Sequence, residues 1–509
     1  MTDFKNAMKV YGPKLKNVLT YKWRGNPHDQ WVDFKYWFLI WKASFEMMQT
    51  FEGRKLTSEE KKTLSEAMFK YPWMFDAMKY NNMVNKASVG RHGATLEAFK
   101  LIILYSTKSA IPAIQRMVLC PETTVFAHSM LPNELFQAMD IKVARTEQAA
   151  NSLCLADQHA EEPYLDAMYN MGLQENTCTY STQTPGMVLS GAYPDKCLCL
   201  ISSSMPCEAH FQGYTLMAEK FNAPTYWLEL PYNTKDEKNI AAFVADIKGM
   251  IQFLEEQTGH KIDWDKLREA CERHNRNVEL ERERWELNAT SCPPISDDAL
   301  WLSHMQIFQL ETTTSADVEL GEKLNALYQK AYERRESVAP CIRYRVVLWS
   351  TPPFSYIYIW NWLERCWGVQ IVNDMESYGS FSLIDTSTND SMLEGIGLTW
   401  RQGTMIRHIR GPVENWIGDL NALNEMYKPE FVLNLNHNNC RGHLGMTGYI
   451  TEWSRQKKVP VCNVNYNFYD MRICSRQGIR DQINSFMSNV MHAEPLDPSL
   501  LVFDDSNDW

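Results

Sequence analysis

The stretch Lys196–Ile201 (KCLCLI) is a short apolar run that three serines, at 202–204, bring to an end. A helix-forming stretch follows through Phe221, and Thr225–Leu230 (TYWLEL) is a second apolar run, closed by Pro231. Two strands joined by a helix within about 35 residues form a βαβ unit. Because such a unit needs a parallel sheet, the segment predicts an α/β fold.

The second half of the chain repeats this pattern of apolar runs between helical stretches. The runs are Arg345–Trp349 (RVVLW), Val369–Val372 (VQIV), Phe431–Leu435 (FVLNL) and Val459–Val464 (VPVCNV). We therefore predict two Rossmann-like α/β domains with parallel sheets, over residues 111–335 and 336–509. The boundary between them is expected near 315–340.

Residues 1–110 differ in composition, because they are rich in helix formers and aromatic side chains. Aromatic residues recur at three- and four-residue spacing, which predicts one face of an amphipathic helix: Trp31, Phe34, Trp37, Phe38 and Trp41. We expect this face to pack in a core or an interface. Thr57 precedes Ser58 and two glutamates, the pattern of a helix start. The region is predicted to be an α-helical N-terminal extension.

Composition excludes several classes of protein. The 509 residues are 45% hydrophobic and 22% charged, so wholesale disorder is excluded. No apolar run approaches the roughly 20 residues of a membrane span, and the N-terminus shows no apolar signal segment. A cytoplasmic protein without membrane contact is expected. The formal net charge of −11 argues against nucleic acid as a partner.

The 13 cysteines are scattered, and without a secretory signal a disulfide framework is not expected. No CxxC pair is present, so zinc-ribbon and ferredoxin patterns are absent. Three cysteines stand in polar segments: Cys178, Cys207 and Cys440. The last two follow predicted strands, where parallel sheets bind ligands. Apolar surroundings predict inert buried thiols elsewhere: Cys197, Cys199, Cys341, Cys366 and Cys462. Spacing alone leaves open that the first three are free thiols too.

Several motifs occur in the order found in one enzyme family. They are Ser129–Leu135 (SMLPNEL), Asn176–Tyr180 (NTCTY), Ser204–Cys207 (SMPC), Glu229–Asn233 (ELPYN), Asn438–Gly442 (NNCRG) and Asp470–Arg472 (DMR). Over about residues 120–490 the chain resembles the 2-hydroxyacyl-CoA dehydratase / benzoyl-CoA reductase family. It departs from the family pattern at Asn133, where cysteine can occur, and at Arg441-Gly442, where Lys-Pro is seen.

The resemblance implies a [4Fe-4S] cluster held by Cys178, Cys207 and Cys440, with one iron left open for a substrate oxygen. Ser129 matches a serine that can occupy that open position, and Glu134 and His437 are acid or base candidates by motif position. The implied partners are an acyl-CoA substrate, a second related cluster-bearing subunit in a heterodimer, and an ATP-dependent iron–sulfur activator. The chain itself has no GxxxxGK[ST] phosphate loop.

The function implied is a radical elimination of water from a 2-hydroxyacyl-CoA, in which an electron enters the thioester carbonyl to give a ketyl and is finally returned. Two alternatives are a benzoyl-CoA reductase-type subunit that reduces an aromatic or unsaturated acyl-CoA, and an electron-transfer subunit that binds no substrate. An α/β protein with three free thiols is the plainest alternative.

Overall fold

The computed structural model describes residues 26–71, 73–76, 86–231, 237–309, 316–378, 382–403 and 405–505. Its strands are β1 (Thr50–Phe51), β2 (Arg54–Lys55), β3 (Val125–Ala127), β4 (Val143–Arg145), β5 (Cys199–Ser203), β6 (Thr225–Leu228), β7 (Tyr344–Trp349), β8 (Val369–Asp374), β9 (Phe431–His437) and β10 (Val461–Tyr466). Two four-stranded sheets have the orders β4-β3-β5-β6 and β10-β9-β7-β8. Every pairing within them is parallel, which confirms the predicted fold class.

Helices surround both sheets. In chain order they are α1 (Pro27–Met47), α2 (Ser58–Lys70), α3 (Trp73–Asp76), α4 (Gly93–Leu119), α5 (Asn133–Ala138), α6 (Gln148–Ala156), α7 (Glu162–Asn170), α8 (Thr179–Leu189), α9 (Glu208–Phe221), α10 (Glu237–Thr258), α11 (Trp264–Asn288), α12 (Asp297–His304), α13 (Ala316–Glu333), α14 (Ile359–Trp367), α15 (Asn389–Gln402), α16 (Ile406–Ile409), α17 (Val413–Tyr427), α18 (Arg441–Lys457) and α19 (Arg476–Asn489). Within the described ranges, none of these helices combines the length and the apolar composition of a membrane span.

The central strands of each sheet are buried on both faces, which explains why they are nearly continuous apolar runs. In the first sheet, Val125 and Ala127 pack in one core while Phe126 between them packs in another. In the second sheet, Val346 and Val347 likewise belong to different cores. The side chains alternate as the two-residue period of a strand requires.

The predicted βαβ unit is formed by β5, α9 and β6, but β5 is displaced toward its carboxyl end. It begins at Cys199 rather than Lys196 and continues through Ser203. In the same way β9 continues beyond Leu435 to His437. Buried polar side chains therefore occupy the carboxyl ends of strands in both sheets.

The N-terminal helices confirm the predicted helix start at Thr57, and they leave an interface as the remaining prediction for the aromatic residues of α1. Thr57 caps α2 with a full capping box, in which its side chain and that of Glu60 each accept a bond from the other's backbone N–H. On α1, however, the aromatic stripe is not in the core: Trp31 and Phe38 are 61% and 53% exposed, and the buried face is instead centred on Tyr36. The predicted boundary at residue 110 lies inside the continuous helix α4.

Candidate functional site

A cavity of about 510 Å³ lies at the carboxyl ends of strands from both sheets. Its wall includes all three cysteines singled out by their polar surroundings, Cys178, Cys207 and Cys440. They come from segments far apart in the sequence, and two of them follow β5 and β9, the central strands of the two sheets. The fold therefore gathers three thiols at one cavity.

Each of the three cysteines is the N-cap residue of a helix. Cys178 precedes α8, Cys207 precedes α9 and Cys440 precedes α18. The backbone N–H of His443 donates to Cys440 Sγ at 3.4 Å. Since the N-terminus of a helix carries partial positive charge, three such ends at one cavity favour thiolates or another anionic group there.

A glycine contact brings two of these helices together. A Cβ on Gly213 of α9 would lie 2.3 Å from the carbonyl oxygen of Ser181 on α8. The two backbones touch at a point where no larger residue fits. This close approach holds the N-terminal ends of α8 and α9, and therefore Cys178 and Cys207, in register with each other.

Burial opposes ionisation of the thiols. It raises the pKa of Cys178, and the neighbouring thiols of Cys207 and Cys440 raise it further. Burial also raises the pKa of Cys207, and that of Cys440 to about 11. Backbone N–H groups of the first helical turn act in the opposite direction at each of the three. A positively charged metal group is what would stabilise three thiolates at this place.

His437, predicted as an acid or base, lies against one of the thiols. Its Nε2 is 3.4 Å from Cys178 Sγ, and burial lowers the pKa of the imidazole to about 3. The ring is therefore neutral. In the tautomer protonated at Nε2, it donates a hydrogen bond to the sulfur.

Ser129 is buried and reaches the cavity through a tyrosine. Its hydroxyl is 3.3 Å from that of Tyr180, whose side chain contributes to the cavity wall. Its backbone N–H donates to Glu147 Oε2 at 3.0 Å. The structure thus fixes Ser129 on both sides, by a carboxylate and by a phenol.

Glu134, the other predicted acid or base, lines a different and smaller cavity of about 40 Å³. Its Oε1 is 2.9 Å from Nδ1 of His274. Burial alone would raise the pKa of Glu134, but the hydrogen bond and charge of His274 outweigh it and lower the pKa. The structure does not bring this carboxylate to the cavity of the three thiols.

The sequence motifs did not indicate one buried cavity residue, Glu376. It lies two residues beyond β8 and is 4% exposed, and Trp301 Nε1–H donates to its Oε2 at 2.5 Å. Burial raises the pKa of Glu376 to about 7, with a further contribution from Asp374. The rule that ligands bind beyond the carboxyl ends of strands could have found it.

Backbone strain marks the same part of the wall. Ser350 directly follows β7 and has φ of 103°, a conformation that costs energy for a residue with a side chain. It lines the cavity together with Thr351, whose carbonyl accepts a hydrogen bond from the Tyr466 hydroxyl at 2.6 Å. Such strained positions cluster at functional sites.

The cysteines predicted to be inert lie elsewhere. Cys199, Cys366 and Cys462 are buried in the apolar cores, as predicted, and Cys197 packs partly buried against one of them. Cys341 corrects the prediction, because it is exposed. The Tyr232-Asn233 part of the fourth motif lies outside the described residues.

A family model matches most of the chain. The model of the family described as 2-hydroxyglutaryl-CoA dehydratase, D-component, matches residues 128–490. No curated protein matches the chain significantly. The matched region contains all three cavity cysteines and every strand of the two four-stranded sheets except β3, which ends one residue before it. The match confirms the resemblance recognised from the motifs.

Proposed function

Because the chain belongs to the 2-hydroxyglutaryl-CoA dehydratase D-component family, we propose that it is the iron–sulfur component of a 2-hydroxyacyl-CoA dehydratase. The observation that supports this most is the convergence of Cys178, Cys207 and Cys440, each at a helix N-terminus, on one cavity. Three thiolate donors in electropositive surroundings suit a [4Fe-4S] cluster with one iron free of cysteine.

The proposed reaction removes the α-hydroxyl group and a β-hydrogen of the acyl-CoA as water. When bound, the cluster would supply a low-potential electron for the thioester carbonyl and an open coordination site for a substrate oxygen. That electron is returned at the end, so the reaction consumes no net reductant. A related cluster-bearing subunit and an ATP-dependent iron–sulfur activator complete the proposed system.

The chain's own residues supply binding and proton transfer. Tyr180, Phe354 and Phe468 give the cavity an aromatic wall that excludes water from the acyl group. Glu376, whose pKa is raised to about 7, populates both the acid and the carboxylate near neutral pH. We assign to its carboxylate the removal of the β-proton. We assign to His437 a hydrogen bond to the Cys178 sulfur, which would tune the reduction potential of the cluster.

Iron analysis tests the proposal. Protein purified without oxygen should contain about four irons and matching acid-labile sulfide per chain. Replacing Cys178, Cys207 or Cys440 singly by alanine should lower both, whereas Cys197→Ala and Cys366→Ala are matched controls that should leave both unchanged. Colourless wild-type protein without iron would contradict the proposal, as would equal iron loss in the two sets of variants.

Turnover separates dehydration from ring reduction. With the activator and a 2-hydroxyacyl-CoA, a dehydratase forms enoyl-CoA in large excess over the reductant supplied. A benzoyl-CoA reductase-type subunit would consume reductant in proportion to product. Protein that carries the cluster but turns over neither kind of thioester would instead support the electron-transfer alternative.

A further inference from the structure

Three titratable side chains meet at the carboxyl end of the first sheet, outside the set of cysteines. His128 directly follows β3, Glu147 lies two residues beyond β4, and His210 is in the first turn of α9, which follows β5. Since β4, β3 and β5 are adjacent parallel strands, the chain segments that follow them are neighbours. One nitrogen or oxygen atom from each of the three side chains lies within 4.8 Å of the others.

The geometry of this group has room for an ion. Nε2 of His128 and Nε2 of His210 are each 3.7 Å from Glu147 Oε1. Ligands of a tetrahedral zinc ion with bonds near 2.1 Å are about 3.4 Å apart, close to these two distances. The imidazole rings of His128 and His210, whose centroids are 3.9 Å apart with their planes at 37°, would have to separate further to direct both Nε2 atoms at one ion. The present separations are too long for direct hydrogen bonds.

The outer contacts fix which atoms face inward. Nδ1 of His128 is 3.3 Å from Ser203 Oγ, which leaves Nε2 directed at the carboxylate. Glu147 Oε2 accepts hydrogen bonds from Ser129 N and Thr146 Oγ1, both at 3.0 Å, so Oε1 is the atom that faces the imidazoles. Metal-binding histidines and carboxylates are generally oriented by such contacts on their other atoms.

Both inward-facing nitrogens are buried without compensation. His128, Glu147 and His210 are at most 2% exposed, and among the described residues Nε2 of His128 and both ring nitrogens of His210 have no hydrogen-bond partner. Burying a polar atom without a partner costs free energy that folded proteins rarely leave uncompensated. A cation between the three side chains would accept the lone pairs of both imidazoles and the charge of the carboxylate.

We propose that His128, Glu147 and His210 bind a divalent first-row transition-metal ion. Two imidazoles and one carboxylate are a known ligand set of zinc, the ion that we expect, and Fe(II) binds to the same set. The Tyr214 hydroxyl, which donates to Glu147 Oε1, supplies a further oxygen at the site. This site is distinct from the three-cysteine site and does not depend on the proposed cluster.

The site would be structural. It ties together the segments after three strands, and two of these segments lead directly to functional positions. Ser129 is the neighbour of His128, and Cys207 is one helical turn before His210. The metal would therefore set the positions of the buried serine and of the N-terminal end of α9.

Elemental analysis tests the proposal without any activity measurement. Untagged protein from zinc-containing medium is dialysed against EDTA, and its zinc and iron are measured by mass spectrometry. Wild type should retain one zinc per chain. Cys178→Ala should retain it while losing cluster iron, and one iron remaining in place of zinc would identify Fe(II) as the occupant. His210→Gln should reduce the content of this ion about tenfold or more.

His304→Gln is the matched control, because His304 is equally buried and paired with a glutamate, Glu281, outside the site. It should keep the metal, and His210→Cys, which restores a ligand, should recover much of it. If His210→Gln does not fold, the metal content of wild type and of Cys178→Ala still shows whether the site binds an ion. The proposal is overturned if wild type holds no stoichiometric zinc and Cys178→Ala holds no residual iron. It is also overturned if His210→Gln keeps the ion.

Discussion

Glu376→Gln should abolish proton transfer and, at the same time, stabilise the folded protein at alkaline pH. The carboxyl group is buried at the cavity, and burial raises its pKa from 4.5 to about 7. Glutamine has nearly the same shape and can still accept the hydrogen bond from Trp301. The substitution therefore removes the ionisation while it keeps the packing.

The magnitude follows from the shift in pKa. A shift of roughly 2.5 units corresponds to about 3 kcal/mol, the cost of ionising Glu376 in the folded protein relative to the unfolded chain. The folded state holds this proton more tightly, so the contribution is fully present below pH 4.5 and is lost as the pH rises through about 7. Glutamine does not ionise. The melting temperature of Glu376→Gln relative to wild type should therefore rise between pH 5 and pH 8.

Turnover should fall by about 10²- to 10⁴-fold, the usual contribution of a general base. In wild type, kcat should increase with pH through about 7. Glu364→Gln is the matched control, because burial likewise raises the pKa of Glu364, to about 8, while its Oε1 accepts a hydrogen bond from Ser296 outside the cavity. That variant should show a similar pH-dependent stabilisation with unchanged turnover. Wild-type kcat in Glu376→Gln, or a melting difference that does not vary with pH, would refute the reasoning.

Three further predictions concern two supports of the site and the cap of an N-terminal helix. Gly213→Ala would force a Cβ against the Ser181 carbonyl, which should lower the free energy of unfolding by about 1–3 kcal/mol and reduce the iron content. Gly445→Ala on α18 is the control, because open space surrounds that glycine. In thermal unfolding it should be neutral or stabilising by up to about 1 kcal/mol. His437→Leu removes the hydrogen-bond partner of the Cys178 sulfur and should make the potential of the proposed cluster more negative in a redox titration. Thr57→Ala should cost about 1 kcal/mol locally, seen as faster hydrogen exchange in α2.

The fold was predictable because its central strands are long and buried on both faces. The apolar runs predicted as strands around Val347 and Val432 form β7 and β9. β3 and β4 were missed because three residues are too few to show a period. The spacing on α1 predicts packing in a core or an interface. The face centred on Tyr36 enters the core instead, because helical spacing defines a stripe but not which stripe faces the core, and the interface stays a prediction.

The candidate site was predictable where polar residues interrupt a strand pattern. Ser202 and Ser203, like Asn436 and His437, are polar residues of a kind typical of loops, yet they continue β5 and β9. They are fully buried because the strands run on to the cavity. Glu376 stands in the same relation to β8, and only the pairing of strands shows that its carboxyl group reaches the cavity.

Local sequence signals indicate which types of residue occur at such a site, whereas long-range packing determines which residues become its neighbours in space. Cys207 and His210 are three residues apart on one chain segment, but they belong to different groups, the first with thiols from α8 and α18 and the second with His128 and Glu147. What divides them is the direction each side chain takes at the start of α9. A linear motif that contains both residues therefore cannot show that they belong to two sites. Variants of Cys207 should lose iron and variants of His210 should lose zinc, and metal analysis of the two would show the separation.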